Sequence, residues 1–505
     1  MRRLFRWSFL AAACGFAVTT FATPLRYAED QAPGIINPLF TTTMVEARVS
    51  ELLFDGLYTD NRDLATTPAL VSNADVAEDG LSITITLRDD VFWHDGTAIQ
   101  ADDVAFTIEA MKNPKTLSTE AGRVEWIKDV EVLSAKQLKM TFVDVQHHPQ
   151  DKLNFKILPK SQFDSSLVSR SHSFRTRPTG TGPYRLSSFN DDNSVTFRAN
   201  EDHREKVGIS ELVLREVADK SYQAKLIQYE SLEALVRVMP QDIAELSRSR
   251  KIELYPYQTN SWWFMGFNQK DPRFKDVRVR QALSQMIDIE NLLAPIGTGE
   301  VLSGPYVKSS PFYNHDVRPW GQDNYAAATL LEDAGYSKVD GVWSKGGKAL
   351  SFTLTFHQNL ETSQKVVINL QSQLRAQGVD VQIEALQEAE WKARIWRKRE
   401  FDAVLSQWSF DRNEDIYAQF HSKGERNFGA YNNPEVDKLL DEARTAADPY
   451  EKKHALRKVH KIVRDDAPMV FLWTLDSYAA VSTRVRRVLI HPFYFFTYVG
   501  EWQMK

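Results

Sequence analysis

The sequence predicts an α/β chain built on mixed β-sheets and divided into more than one domain. Runs that alternate every two residues recur between stripes of apolar residues at helical spacing, the signature of strands followed by helices. No fixed-period repeat or low-complexity tract interrupts that order, which argues against solenoids and propellers. The 505 residues, 43% of them hydrophobic, exceed what one core normally holds, about 250–300 residues. A strand-then-helix order of this kind favours two lobes with mixed sheets.

The elements follow in chain order. Met1-Arg2-Arg3 and Arg6 precede an apolar stretch from Trp7 to Phe21 and small residues near Ala22, so residues 1–22 read as a secretory signal peptide. The stretch is too short, and too broken by Thr19 and Thr20, for a membrane span of about 20 apolar residues. Cys14, the only cysteine, follows Ala11-Ala12-Ala13 in faint likeness to a lipoprotein site. The usual Leu is missing three places before it, so cleavage after Ala22 is expected over lipid anchoring at Cys14. The mature chain then holds no thiol, disulfide or Cys ligand.

Leu81, Ile83, Ile85 and Leu87 alternate with Ser82, Thr84 and Thr86, as in a half-buried strand. His94-Asp95-Gly96 supplies a turn, and Asp102-Asp103 open a helix whose stripe begins at Val104. Gly180-Thr181-Gly182-Pro183-Tyr184 carries a Pro where a phosphate loop needs an N–H, and reads as a rigid turn. Further strands are expected around Val195 and Phe197, from Leu350 to Phe356, and around Val379, Val381 and Ile383. After Asp276, Val279, Ala282, Leu283, Met286 and Ile287 share one helical face. Asn324 is placed to cap a helix closed by Gly335, and Asn433-Pro434-Glu435 opens another with Val436, Leu439, Leu440 and Ala443 on its buried edge.

The chain has 62 Lys+Arg against 67 Asp+Glu, and its net charge of −5 becomes −8 once Arg2, Arg3 and Arg6 leave with the leader. Mixed signs and a mild acidic excess supply no basic stripe for nucleic acid and no polybasic membrane patch. No HExxH, GxSxG or P-loop is present, and no cofactor is expected. His147-His148 suits a solvated loop, while His454 and His460, six apart, fall on different faces of a helix, so no metal site is assigned.

The segment LSITITLRDDVFWHDGTAIQADDVAF, from Leu81 to Phe106, resembles the signature of the peptide/nickel-type extracellular solute-binding proteins, family 5, which serve ABC importers. The same family's pattern is matched in order by NPLF and LFDGLY between Asn37 and Tyr58, GTGPY, FKDVRVRQALSQMID from Phe274, YAAATLLEDAGY from Tyr325 and YNNPEVDKLLDEAR from Tyr431. One departure is Gln100 in place of the Thr that opens the helix, at an expected cost of about 1 kcal/mol of capping. The resemblance implies a bilobal class II periplasmic-binding-protein-like clamp with an additional inserted domain. Lobe I would comprise 23–58, 170–261 and 474–505, the insert 59–169 and lobe II 262–473. It implies a monomer in the periplasm that captures peptides and hands them to an ABC permease and ATPase complex, with no enzymatic step.

The resemblance also names a site. Trp408-Ser409-Phe410-Asp411 matches the W-x-x-D element of peptide-binding members, in which Asp pairs with the ligand's α-amino group and Trp packs beside it. A desolvated ammonium needs a fixed carboxylate, and an indole gives large contact area at low entropy cost. The sequel Arg412-Asn413-Glu414-Asp415 lacks the Pro often found there, which leaves the ligand class open. In Trp262-Trp263-Phe264-Met265-Gly266-Phe267-Asn268, alternation puts Trp263 and Met265 on one side and Trp262, Phe264 and Asn268 on the other. Either side is a candidate ligand wall, with Trp263 and Phe264 the residues singled out, and core packing is the alternative for each. Arg278 and Arg280 read as surface or lobe-stabilising charges. Other cargoes, namely a nickel complex, oligosaccharide, opine or haem, and a secreted peptide hydrolase, are the rival readings.

Overall fold

The computed structural model describes residues 23–62, 65–258, 260–358, 362–410, 414–492 and 494–505. The expected leader, with Cys14, lies outside these residues, as does Asp411. Among the described residues the chain is a mixed α/β structure with two large sheets, a four-stranded sheet and three smaller ones.

The first large sheet has eight strands drawn from distant parts of the sequence. Strand Leu25–Glu29 runs parallel to Glu211–Glu216 and to Ala234–Leu235, while Trp473–Ser482 pairs antiparallel with Ile252–Gln258. Its residues alternate between two cores: Tyr27 and Val481 enter one, Ala28 and Ala480 the other, as a period-two strand buried on both faces requires. The four-stranded antiparallel sheet of Val71–Val76, Ser82–Leu87, Gln137–Phe142 and Ile127–Val132 shares the first of those cores. Ile83, Ile85 and Leu87 are buried in it.

The second large sheet has five strands, in the order Asp380–Leu386, Ser351–His357, Ala403–Ser409, Ser261–Phe267 and Met469–Phe471. Trp263, Met265 and Phe267 face one core, and Trp262 and Phe264 the other. The chain passes from the first large sheet to the second between Gln258 and Ser261 and returns between Phe471 and Trp473, and in between it sends only the short strand Gly299–Val301 back to pair with Trp473–Ser482 among the described residues. Two neighbouring crossovers of this kind are the usual architecture of a hinge.

The motifs first noticed in the sequence meet one another. The His94 backbone N–H donates to the Gly180 carbonyl at 2.8 Å, the Gly180 N–H donates to His94 Nδ1 at 3.1 Å, and His94 Nε2–H donates to the Gly182 carbonyl at 3.1 Å. A Cβ on Gly180 would sit 1.7 Å from the Leu53 carbonyl oxygen, so glycine is required by close approach. HDG, GTGPY and LFDGLY therefore form one joint, closed by the Asp55–Arg204 ion pair at 2.8 Å. Burial holds His94 down to about 4, and Arg204 holds Asp55 at about 2 against an opposing burial cost.

Caps follow the sequence with one correction. Asn433 caps as read, and Asp276, which the sequence placed just before a helix, caps that helix, but the helix Asn324–Asp333 is capped by Asp323, whose carboxylate accepts from the Tyr325 and Ala326 N–H groups. Gly335, at φ +86°, follows its end as expected. Gln100 makes no side-chain cap bond; instead the Asp103 carboxylate accepts the Gln100 N–H at 2.8 Å and the Lys160 N–H at 2.8 Å. Arg278 is half-buried and paired to Asp276. Arg280 is buried and donates to the Asp466 and Ala467 carbonyls at the end of helix Pro449–Asp466, the free acceptors every helix leaves there.

Candidate ligand-binding site

Strand Ser261–Phe267 is wholly buried because it lies between Ala403–Ser409 and Met469–Phe471 and carries large apolar groups on both faces. Its register sets Trp262 opposite Trp408. Around that pair stands an aromatic cluster. Phe264 stacks on Trp408 at 5.9 Å and 12°, Trp396 meets Trp408 edge-on at 5.2 Å, and Trp262 stacks on Phe410 at 5.9 Å and 16°. Offset and edge-on pairs are the arrangements that ring quadrupoles favour.

Of the residues singled out in the sequence, Trp408 is 7% exposed, Trp263 4% and Phe264 fully buried. Phe264 and Trp408 lie in the same core; Trp263 lies across the strand, on Trp473 at 6.3 Å. Asp411 is not among the described residues, but both ends of its segment are. The Phe410 N–H donates to the Asn260 carbonyl at 2.8 Å, and Asn260 Nδ2–H donates to Glu414 Oε1 at 2.8 Å. Ser310 Oγ donates to the other Glu414 oxygen. Asn260 stands at the crossover between the sheets, so the segment after Trp408 is tied at both ends to the hinge. Glu414 sits at φ +50°, in the left-handed region that costs a non-glycine residue about 1 kcal/mol or more.

Buried donors collect here. Trp262 Nε1, Trp408 Nε1 and Tyr306 OH lack a hydrogen-bond partner among the described residues, and all three belong to one core, against which Phe410 packs. A buried unmade hydrogen bond costs roughly 1–3 kcal/mol, so such a group marks either strain or a place for polar atoms. A cavity of about 20 Å³, enough for one water-sized group, opens beside Trp408 and Phe428. A larger cavity of about 300 Å³ lies against Asp55, Lys156 and Arg204, but its Asp55–Arg204 and Lys156–Glu51 charges are already matched.

Sequence reasoning did not identify Asn260, Glu414, Tyr306 or Ser310. None of them carries a periodicity or spacing signal; only the position of Glu414, three residues beyond Asp411, could have drawn attention to it.

One constellation imitates a nucleophile and its base. Ser303 Oγ lies 2.8 Å from His460 Nε2, both buried. The Asn314 N–H donates to His460 Nδ1 at 3.3 Å, so the neutral ring carries its proton on Nε2 and donates to Ser303, whose hydroxyl in turn donates to Tyr313. A ring in that tautomer cannot take the serine proton, and burial holds His460 down to about 3. The group is a buried structural network. Among the described residues no cluster of His, Cys, Asp and Glu suits a metal ion, and no helix is long and apolar enough to cross a membrane.

Comparison with known proteins agrees with this architecture. The oligopeptide-binding protein AppA of Bacillus subtilis is 24% identical over 91% of this chain and 88% of its own. Its structure in complex with a nonapeptide superposes with a TM-score of 0.78 at 22% identity, covering 96% of this chain and 99% of that one. The glutathione-binding protein GsiB of Pectobacterium atrosepticum is 25% identical over 96% of both chains. NikZ of Campylobacter jejuni, in complex with Ni(L-His), has a TM-score of 0.76 at 27% identity over 95% of this chain and 99% of that one. Residues 65–429 match the family described as bacterial extracellular solute-binding proteins, family 5 middle, whose members are extracytoplasmic binding proteins and not enzymes. With that match spanning most of the chain and the bilobal fold on both sides of it, the protein belongs to the family 5 extracellular solute-binding proteins.

Proposed function

We propose that the protein captures peptides in the periplasm, after removal of residues 1–22, and delivers them as a monomer to an ABC permease and its ATPase. The observation that carries this reading is the family match over residues 65–429 on a fold whose two large sheets are joined by paired crossovers. Likeness to the oligopeptide-binding and glutathione-binding proteins supports peptide cargo. The lobes are taken as 23–58 with 170–261 and 474–505, and 262–473, with 59–169 inserted.

In this reading Asp411 holds the ligand's α-ammonium and Trp408 flanks it, with Phe264 and Trp263 stiffening the strand behind. The tethers from Asn260 to Phe410 and Glu414 support the assignment, because they fix the anchoring segment to the part that moves on closure. Backbone groups of an extended peptide bond to strand edges, so one site serves many sequences. The ligand prefers the closed clamp and shifts the hinge equilibrium toward it.

Calorimetry with a di- to pentapeptide pool tests this. The expected outcome is binding that Asp411→Asn weakens by about tenfold or more. Unchanged affinity in that variant would remove the amine-anchor role. A metal complex is the second reading, favoured by the likeness to NikZ, and titration with nickel–histidine separates the two.

A further inference from the structure

A short turn, Pro149–Lys152, follows His148, whose Nε2 lies 2.9 Å from the Ala447 carbonyl oxygen and must therefore donate to it. That bond joins parts of the chain 299 residues apart, across the two halves of the clamp. Ala447 separates two helices, Pro434–Thr445 and Pro449–Asp466. Arg444 lies in the last turn of the first and Lys452 at the start of the second, while Lys152 stands four residues beyond His148.

Each of these three cations rests on an aromatic ring. Lys152 lies 5.3 Å from the Trp126 centroid, Arg444 4.4 Å from Tyr417 and Lys452 5.6 Å from Phe312. None of the three forms an ion pair within 4 Å among the described residues, although the chain elsewhere pairs its cations freely. Lys152 Nζ donates to Gln146 Oε1 at 2.8 Å. The charges that act on it are Arg444 and Lys452, which disfavour its proton after burial does, and Asp415 and Asp151, which favour it. Both carboxylates have donors of their own: Asp415 accepts the Tyr417 N–H at 2.9 Å and Asp151 accepts the Thr66 hydroxyl. On the facing helix Asp448 caps its own first turn, accepting the Tyr450 N–H at 2.8 Å, and Glu451 is exposed. The Tyr417 hydroxyl is shared with Arg444 and Asp441, so the three cations stand among three engaged carboxylates, and Lys452 sits at a helix start, where the dipole already favours anions.

We propose that Lys152, Arg444 and Lys452 form an oxyanion site at the seam of the clamp, taking a carboxylate or phosphate-type group between the two halves. The proposal rests on the solute-capture reading and deepens it, since the ligand's far end is one source of such a group and a free anion the other. Because the cations come from both halves, an anion held there favours the closed clamp.

The test uses the full mature chain and inorganic phosphate as probe, followed by phosphorus NMR line broadening. Binding should weaken about tenfold in the triple variant Lys152→Met, Arg444→Gln, Lys452→Gln and persist in the charge-keeping Arg444→Lys. Unchanged far-UV spectra and unfolding midpoints show that the variants fold. Equal phosphate binding by wild type and triple variant, or none by wild type, overturns the proposal. Displacement of phosphate by a di- to pentapeptide pool with free carboxyl ends, and not by the same pool amidated, identifies the ligand's carboxylate as the occupant. Displacement by neither identifies a free anion, and displacement by both forms alike overturns the assignment of the carboxylate to this site. If calorimetry detects binding of neither pool, the peptide reading fails while the phosphate measurement still decides the site.

Discussion

Asn260 and Glu414, both buried, are joined by a 2.8 Å hydrogen bond from Nδ2 to Oε1, and the carbonyl of the same Asn260 receives the Phe410 N–H at 2.8 Å. One residue at the hinge crossover therefore fixes both ends of the segment that holds Asp411. A carboxylate buried this way is stabilised by its donors, and those donors are left wanting when it is removed.

Glu414→Ala should therefore destabilise the fold by about 1–3 kcal/mol, through loss of the hydrogen bonds from the Asn260 amide and the Ser310 hydroxyl. It should also lower peptide affinity, because the anchor loses its tether. Glu414→Gln keeps an acceptor and should cost less on both counts. Urea unfolding and calorimetry read the two effects separately; a variant with wild-type affinity would show that the tether does not position the anchor.

Gly180→Ala is expected to prevent folding or to lower stability by several kcal/mol, since the new methyl would meet the Leu53 carbonyl oxygen at 1.7 Å, and neither partner is a flexible side chain. Soluble yield and thermal midpoint measure this. Gly96→Ala is the contrast: its Cβ would meet nothing within 4 Å, so only the strain of φ +84° remains.

The outcome for Gly180 shows which parts of the fold were legible in the sequence and which were not. HDG, GTGPY and LFDGLY each stood out as local patterns, and strand periods at Ile83–Leu87 and helix signals at Asp276 and Asn433 were read from short-range chemistry that survives in the structure. That the three motifs form a single joint could not be read, because residues 53, 94 and 180 come together only through the tertiary path. Asn260 and Glu414 stayed hidden for the same reason. The cap at Asp323 was missed by one residue, since Asp and Asn cap equally well and adjacent candidates compete on backbone angles alone. Trp263 and Phe264 illustrate the remaining gap: alternation correctly put them on opposite faces of one strand, but a strand with both faces covered offers no sequence signal for which face a ligand would approach.

Trp408→Ala should cost about 3–5 kcal/mol, since the ring contacts Phe264, Trp396 and Phe428 in a closed core. Trp408→Phe should recover most of that stability. If Trp408 also flanks the ligand, the Phe variant will still bind peptide more weakly than wild type, and comparing its unfolding free energy with its affinity separates packing from recognition.

Stability should fall as pH drops from about 6.5 toward 4, ahead of most carboxylate titration. In the folded chain burial holds His94 at about 4 and His460 at about 3, and lowers His203 in the same direction. The unfolded chain takes up those protons near the ordinary value of about 6.5, so through that window it binds more protons than the folded chain, and folding weakens as pH falls. Asp55, held at about 2, loses its contribution only between about 4 and 2, below this window. The combined histidine effect is on the order of several kcal/mol by pH 4. Urea unfolding at pH 7, 6 and 5 measures the slope, and the double variant His94→Gln, His460→Gln should flatten it while being less stable at pH 7. Gln retains a donor and an acceptor for Gly180 and Gly182 at the motif joint, so a slope unchanged by the double substitution would mean that other groups carry the acid sensitivity.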